Sequence, residues 1–189
     1  VLALGEREGG LSLYLALNNK HVTRTDYNKF EQTPLKLHKK YNVTDKITYS
    51  IENATSLNFE DNLFDIVVFK SMLGALRNNS NQEKAFQEAY RVLKPGGYLL
   101  FAENLEASSV HRYARKKFTK WGEKWHYPQL NNIIKHCNIF NTFEYKSYGF
   151  FSPFGRNEKQ RVILSKLDYI FTPFTPKRWR YILFGIAKK

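Results

Sequence analysis

From Val1 onward the chain alternates short apolar runs with stretches whose apolar residues recur at helical spacing. "VLAL" (Val1–Leu4) predicts a strand and "LSLYLAL", from Leu11, a helix. "HVTRTD" predicts a second strand, a helix follows from about Tyr27 to Lys40, and "KITYSI" predicts a third strand. "FDIVVF" (Phe64–Phe69) is almost continuously β-branched and aromatic, as expected of a strand buried on both faces. In "NQEKAFQEAYRVL", Ala85, Phe86, Ala89, Val92 and Leu93 share one helical face. "KPGG" ends that helix, because proline cannot continue it and glycine tolerates positive φ. "YLLFAE" then starts a fifth strand at once. This alternation predicts a doubly wound, mostly parallel α/β sheet with right-handed crossovers and helices on both faces.

After Asn104 the alternation breaks. "HRYARKKFTKWGEKWHY" is basic and aromatic, and "PQLNNIIKHC" predicts a short helix with Pro128 in its first turn. "IFNTFEYKSYGFF" and "WRYILFGIAKK" are strand-like. Between them "EKQRVILSKLDYIF" predicts an inserted helix, bounded by Pro153, Pro173 and Pro176. No repeat, low-complexity tract or linker divides the chain, so residues 1–189 form one expected domain.

Composition adds three constraints. A single cysteine, Cys137, excludes an internal disulfide and points to a reducing, cytoplasmic setting. No apolar run approaches the ~20 residues of a membrane span. Val1 already lies in the first strand, so further residues are expected to precede it. The formal net charge of +13 favours anionic partners (phosphorylated small molecules, nucleic acid or anionic lipid), or else describes only a well-solvated surface.

The turn between the first strand and first helix, "GEREGG", is where doubly wound sheets bind nucleotides. Against the dinucleotide pattern G-x-G-x-x-G it offers Gly5, then Arg7 where the middle glycine should be, then Gly10. An arginine there obstructs close approach of a pyrophosphate, and Glu6 and Glu8 repel one. A cationic ligand reverses the sign. S-adenosylmethionine carries a sulfonium and an ammonium that a nearby carboxylate attracts, while backbone N–H groups at the helix start can meet its carboxylate. Asp26 ends the second strand about 20 residues after Gly5, the spacing of an acid that holds a ribose diol. Taken separately, Gly5 and Gly9 also fit a plain tight turn, and Asp26 a helix cap.

"VLALGEREGG", "TRTDYN", "ENATSLNFEDNLFDIVVF" and "RVLKPGGYLLFAE" together resemble the ordered motifs of the class I S-adenosylmethionine-dependent methyltransferases, over roughly the first half of the chain. The resemblance implies a Rossmann-like, seven-stranded sheet whose last strand, supplied by "WRYILFGIAKK", is antiparallel. It divides the domain into a cofactor-binding half (1–103) and a substrate-side half (104–189). It implies that Gly5, Glu6, Gly9 and Gly10 line the methionine end of the cofactor, Asp26 the ribose, and Tyr27 the adenine. Asn53, beside Ala54, stands where an acid usually accepts from the adenine amino group; its carbonyl can do the same. Lys70 and Ser71 fall where cofactor and acceptor meet. Two positions depart from the family: Ala3, where an acid is usual, and Arg7. Glu6 is expected to supply the missing charge and Arg7 to point outward.

Methyl transfer from a sulfonium is an in-line displacement, so the enzyme chiefly orients the nucleophile and excludes water. A hydroxyl or ammonium acceptor also needs a base. His111 leads the candidates because imidazole titrates in range, with Glu103, Asn104, His126 and Tyr127 also near the strand ends and Lys70 better suited to steering an anion. The basic, aromatic Arg112–Lys124 segment suits a small acceptor carrying phosphate or sugar, and equally RNA, whose bases stack on aromatics; it also fits an amphipathic helix covering the sheet. No cysteine–histidine spacing suits zinc, and "FKSM" replaces the Asp/Asn-Pro-Pro-aromatic motif common in base-amine methylation. The expected function is therefore methylation of a small anionic or sugar-containing acceptor, with RNA methylation or a non-catalytic cofactor-binding subunit as alternatives. The oligomeric state is not legible.

Overall fold

A computed structural model describes residues 1–27, 32–118 and 125–189. The strands are β1 (Leu2–Leu4), β2 (Val22–Asp26), β3 (Ile47–Ile51), β4 (Phe64–Lys70), β5 (Leu93–Asn104), β6 (Thr142–Tyr148) and β7 (Ile182–Lys188). The α-helices among the described residues are α1 (Gly10–Leu17), α2 (Gln32–Lys40), α3 (Asn79–Val92), α4 (Ser109–Phe118), α5 (Leu130–Cys137) and α6 (Glu158–Phe171). One seven-stranded sheet runs in the order β3-β2-β1-β4-β5-β7-β6. Only β7 is reversed, pairing antiparallel with both β5 and β6. The doubly wound sheet with an antiparallel last strand is thus present.

Burial explains which runs became central. All three residues of β1 are buried, and the β-branched and aromatic β4 lies beside it. On one face α3 lays down the predicted stripe: Ala85, Phe86, Ala89 and Val92, with Leu93 just beyond its end, are fully buried. Phe86 meets Phe69 and Phe101 edge-on at 5.9 and 5.4 Å, while those two rings stack at 5.1 Å. On the other side Ala16 of α1 packs with Val43 and Ile47 in a separate small cluster.

Three local expectations shift. The second helix begins at Gln32 rather than near Tyr27, with residues 28–31 outside those described. β5 begins at Leu93, not Tyr98: Leu93 pairs with Phe64 and Tyr98 with Ile66, so "KPGG" bulges between two ladder positions, Gly96 taking φ +78°. Pro128 precedes the α5 cap Gln129 instead of entering the first turn, and its carbonyl accepts the Glu106 N–H at 2.9 Å. Of the basic segment, Lys120, Trp121, Glu123 and Lys124 lie outside the described residues.

α6 is almost entirely exposed, with Asp168 its one fully buried residue. That carboxylate accepts the N–H groups of Phe150 (2.6 Å), Phe151 (2.7 Å) and Ser152 (3.0 Å), as well as the Ser152 hydroxyl. Replacing Asp168 with Ala leaves these half-buried donors without their acceptor and should cost about 2 kcal/mol. Urea unfolding would register this as a lower midpoint with an unchanged slope.

Candidate active site

β1 and β4 are neighbours, yet the chain leaves them in opposite directions along the sheet, which opens a crevice at their carboxyl ends. A cavity of about 620 Å³ fills it, within the range of small-molecule sites. Gly5 and Arg7 border it after β1, Asp26 and Tyr27 after β2, Glu52, Asn53 and Ala54 after β3, and Ser71 and Met72 after β4. Arg77, Asn81 and Trp125 complete the rim.

The glycine turn is held from below. Gly5 has φ +64°, and a Cβ there would meet Met72 Cγ at 2.7 Å, so the chain passes close only because the side chain is absent. Arg24 of β2, fully buried, donates through Nη2 to the carbonyl oxygens of Glu6 and Arg7, the latter at 2.9 Å. The Glu6 carboxylate turns inward and accepts the Ser12 N–H at 2.7 Å, in the first turn of α1. Gly9, at φ +78°, opens α1 and its carbonyl accepts from His38 Nε2 at 2.8 Å.

Of the turn residues expected to line a cofactor, Gly5 borders the cavity; Glu6, Gly9 and Gly10 lie outside its lining. Arg7, expected to point outward, borders it. The reason is local. With Glu6 tied to α1 and two carbonyls tied to Arg24, the Arg7 side chain emerges into the crevice.

Asp26, Tyr27, Asn53, Ala54 and Ser71 all border the cavity as expected of a shared site. The Asn53 carbonyl oxygen, however, already accepts the Thr55 N–H (3.0 Å) and hydroxyl (2.9 Å). The carboxylate of neighbouring Glu52 accepts the Ser50 hydroxyl and the Asn58 N–H. Glu52, Met72, Arg77 and Asn81 were not among the expected site residues, and Trp125 was expected only as one of the aromatics of the basic segment. The signal for Trp125 was Gly74: a Cβ there would lie 1.6 Å from the indole Nε1, and the Gly74 carbonyl accepts the His126 N–H.

The proton-transfer candidates are placed differently from expectation. Lys70 is exposed at the end of β4 and outside the cavity lining. Glu103 is buried behind the wall and accepts the Met72 and Leu73 N–H groups at 2.6 and 3.1 Å. Burial pushes its carboxyl up to about 8, against the pull of those N–H donors. His111 is buried between Phe150 and Phe154. Its Nε2 donates to the Phe150 carbonyl at 2.8 Å, and its Nδ1 is 2.8 Å from the Ser108 hydroxyl. Burial lowers its pKa. With both nitrogens engaged and its ring outside the linings of these two cavities, His111 ties α4 to the 150–154 turn.

Asn104 and Tyr127 border a second cavity of about 590 Å³, together with Arg115, Ser152, Arg161, Val162 and Tyr181. Asn104 Nδ2 donates to Ser71 Oγ at 3.1 Å, so this pair forms a wall between the two cavities. The Arg115 guanidinium lies 3.8 Å from the Tyr127 ring centroid, and burial raises the Tyr181 phenol above its ordinary range.

A glycine turn at the switch point of a doubly wound sheet, followed by an acid ending the next strand, defines a nucleoside-binding α/β domain. The family described as "Methyltransferase domain" matches residues 2–101, and the chain belongs to the class I S-adenosylmethionine-dependent methyltransferases. Demethylmenaquinone methyltransferase of Bacteroides fragilis is 28% identical over 149 residues, covering 79% of this chain and 55% of the relative. A ubiquinone/menaquinone biosynthesis C-methyltransferase of Hydrogenovibrio crunogenus is 47% identical over 57 residues, 30% of this chain and 21% of its own. The chain thus spans about half the length of the first of these relatives and less of the second. An S-adenosylmethionine-dependent methyltransferase from Methanosarcina mazei shares the fold at TM-score 0.69 and 19% identity, over 100% of this chain and 91% of that one. Phosphoethanolamine N-methyltransferase 2 of Haemonchus contortus, in complex with S-adenosyl-L-methionine, does so at TM-score 0.70 and 18% identity, over 100% and 48%.

Glu103 makes stability depend on pH. Its folded pKa of about 8 exceeds the ordinary 4.5, so between these values the native state holds a proton that the unfolded state has lost. Stability attributable to this group should therefore fall as pH rises from 4.5 towards 8. Glu103→Gln keeps an acceptor for both N–H groups without a charge, so its unfolding free energy should lose that slope in a urea series across this range.

Proposed function

We propose that this chain is the methyl-transferring domain of an enzyme that methylates a ring carbon of a phenolic, hydroquinone-type acceptor. The observation that carries the reading is the pair of cavities walled by Ser71 and Asn104, one rimmed by Asp26, Glu52, Arg7 and Arg77 at the switch point and the other bordered by Arg115, Arg161 and two tyrosines, with Glu158. The names of the Bacteroides and Hydrogenovibrio relatives support the acceptor class.

The first cavity fits S-adenosylmethionine. Asp26 would hold the ribose hydroxyls, Tyr27 would cover the adenine, and Gly5 would let the methionine portion pass close to the backbone. Asp26 and Glu52 supply negative potential for a cationic ligand; Arg7 and Arg77 offer partners for its carboxylate. When bound, S-adenosylmethionine supplies an electrophilic methyl group on sulfur. The chain's own task is then to present a nucleophilic carbon and keep water out. Arg115 and Arg161 favour the phenolate over the phenol, and the phenolate pushes electron density onto its ring carbons. Tyr127 and Tyr181 give a planar ring faces and edges to lie against, and Asn104 orients it towards Ser71. The phenol gives up its proton to solvent on ionising, and the methylated ring carbon loses its own proton to solvent as the ring regains aromaticity. With the phenolate stabilised by cations neither loss needs a strong base, in keeping with the burial of His111 and Glu103. The anionic acceptor expected from the net charge becomes, in this reading, a phenolate.

Calorimetric titration should give saturable binding of S-adenosylmethionine and none of NADH. Asp26→Ala should weaken that binding about tenfold or more while the fold persists. Labelled methyl should then pass to carbon of a reduced, short-tailed demethylnaphthoquinone. Arg161→Gln should raise the KM for that acceptor about tenfold and leave cofactor affinity unchanged. Transfer to RNA or a sugar phosphate, with none to the quinol, would overturn the acceptor class.

A further inference from the structure

Helix α6 packs chiefly against the turns at residues 152–154 and 172–174. It is an outlying helix whose buried Asp168 ties it to the turn at residues 150–152, while its other side carries large apolar groups into solvent. Ile163, Leu167 and Ile170 recur at i, i+4 and i+7 and so form one stripe, with the first and last 62% and 57% exposed. Phe174, just past the helix, is 83% exposed. Lys159 and Lys166 fall on the same face by helical spacing. Arg156, at the helix entrance, lies 5.4 Å over the ring of Phe118, which brings the exposed, lysine-rich end of α4 beside the start of α6. An exposed apolar stripe flanked by lysines, on a chain of net charge +13, has the chemistry of an interfacial helix.

We propose that α6 is a membrane-docking helix, seating the domain on an anionic bilayer with Ile163, Leu167, Ile170 and Phe174 in the headgroup–acyl boundary. Charge complementarity selects the bilayer: the lysines meet anionic headgroups at the level where the apolar side chains enter. The opposite face of the same helix gives Arg161 and Ser165 to the second cavity. Docking therefore holds that cavity one helix diameter, roughly 10 Å, above the lipid surface in which an acceptor with an apolar tail resides. This last step rests on the acceptor reading above, whereas docking itself does not.

The test is co-sedimentation of the chain with vesicles of phosphatidylcholine alone and of phosphatidylcholine mixed with phosphatidylglycerol. Binding is expected to the mixed vesicles, weakened by salt. Lys166→Gln should reduce it about fivefold, and the pair Ile163→Ser and Ile170→Ser should abolish it. These side chains are exposed, so thermal midpoint, S-adenosylmethionine affinity and turnover of a water-soluble, short-tailed acceptor should stay unchanged in both variants. Those readouts separate failure of docking from failure of the proposed activity. Wild-type chain left in the supernatant with both vesicle types, or serine variants that bind like wild type, would overturn the proposal. So would a dimer, seen by light scattering, that the serine pair dissolves in a chain that binds no vesicles, since the stripe would then belong to a second copy.

Discussion

The site depends on a topological constraint: two adjacent parallel strands, β1 and β4, release the chain to opposite sides of the sheet. Right-handed crossovers leave no alternative once the strand order is β3-β2-β1-β4-β5. The gap between the departing loops is therefore a consequence of the fold rather than of any one side chain. What the sequence then chooses is the lining. Buried Arg24 anchors the turn after β1 through its carbonyls, and the same anchoring exposes Arg7 to the crevice.

The two cavities differ in their lining. Asp26 and Glu52 face Arg7 and Arg77 in the first, while Arg115, Arg161, Tyr127 and Tyr181, with Glu158, border the second. A zwitterionic donor with a cationic sulfur would find both signs of charge in the first, and a phenolate acceptor would find two guanidinium groups in the second, with the Ser71–Asn104 contact between them. Attraction between the bound partners and their walls favours approach along one line, which is the main requirement of a displacement at carbon.

The fold was largely legible because its signals are local and repeated. β1 announces itself by an unbroken apolar run and α3 by its periodic stripe, whereas β4, expected to be buried on both faces, buries Phe64, Val67 and Phe69 and leaves Asp65 exposed. The cofactor side was partly legible. Gly5, Asp26, Tyr27, Asn53, Ala54 and Ser71 follow from their places just after strands, and strand ends can be counted. Glu6 turned inward to the Ser12 N–H and Arg7 came to border the crevice, with Arg24, many positions away, holding the carbonyls of both; no local pattern encodes that anchoring. His111 and Glu103 were nominated for their chemistry, but burial, which decides whether chemistry is accessible, depends on distant segments: the 150–154 turn for His111, and the chain after β4 at Met72 and Leu73 for Glu103. The start of β5 escaped because "KPGG" reads as a stop and is also a bulge within a continuing ladder.

Gly74 and Trp125 carry one more consequence. An indole seated against a bare backbone position, and facing the crevice, is a built-in optical gauge of what enters there. Its emission depends on local polarity and on neighbouring rings, so filling of the crevice would alter the protein's own fluorescence without any added dye.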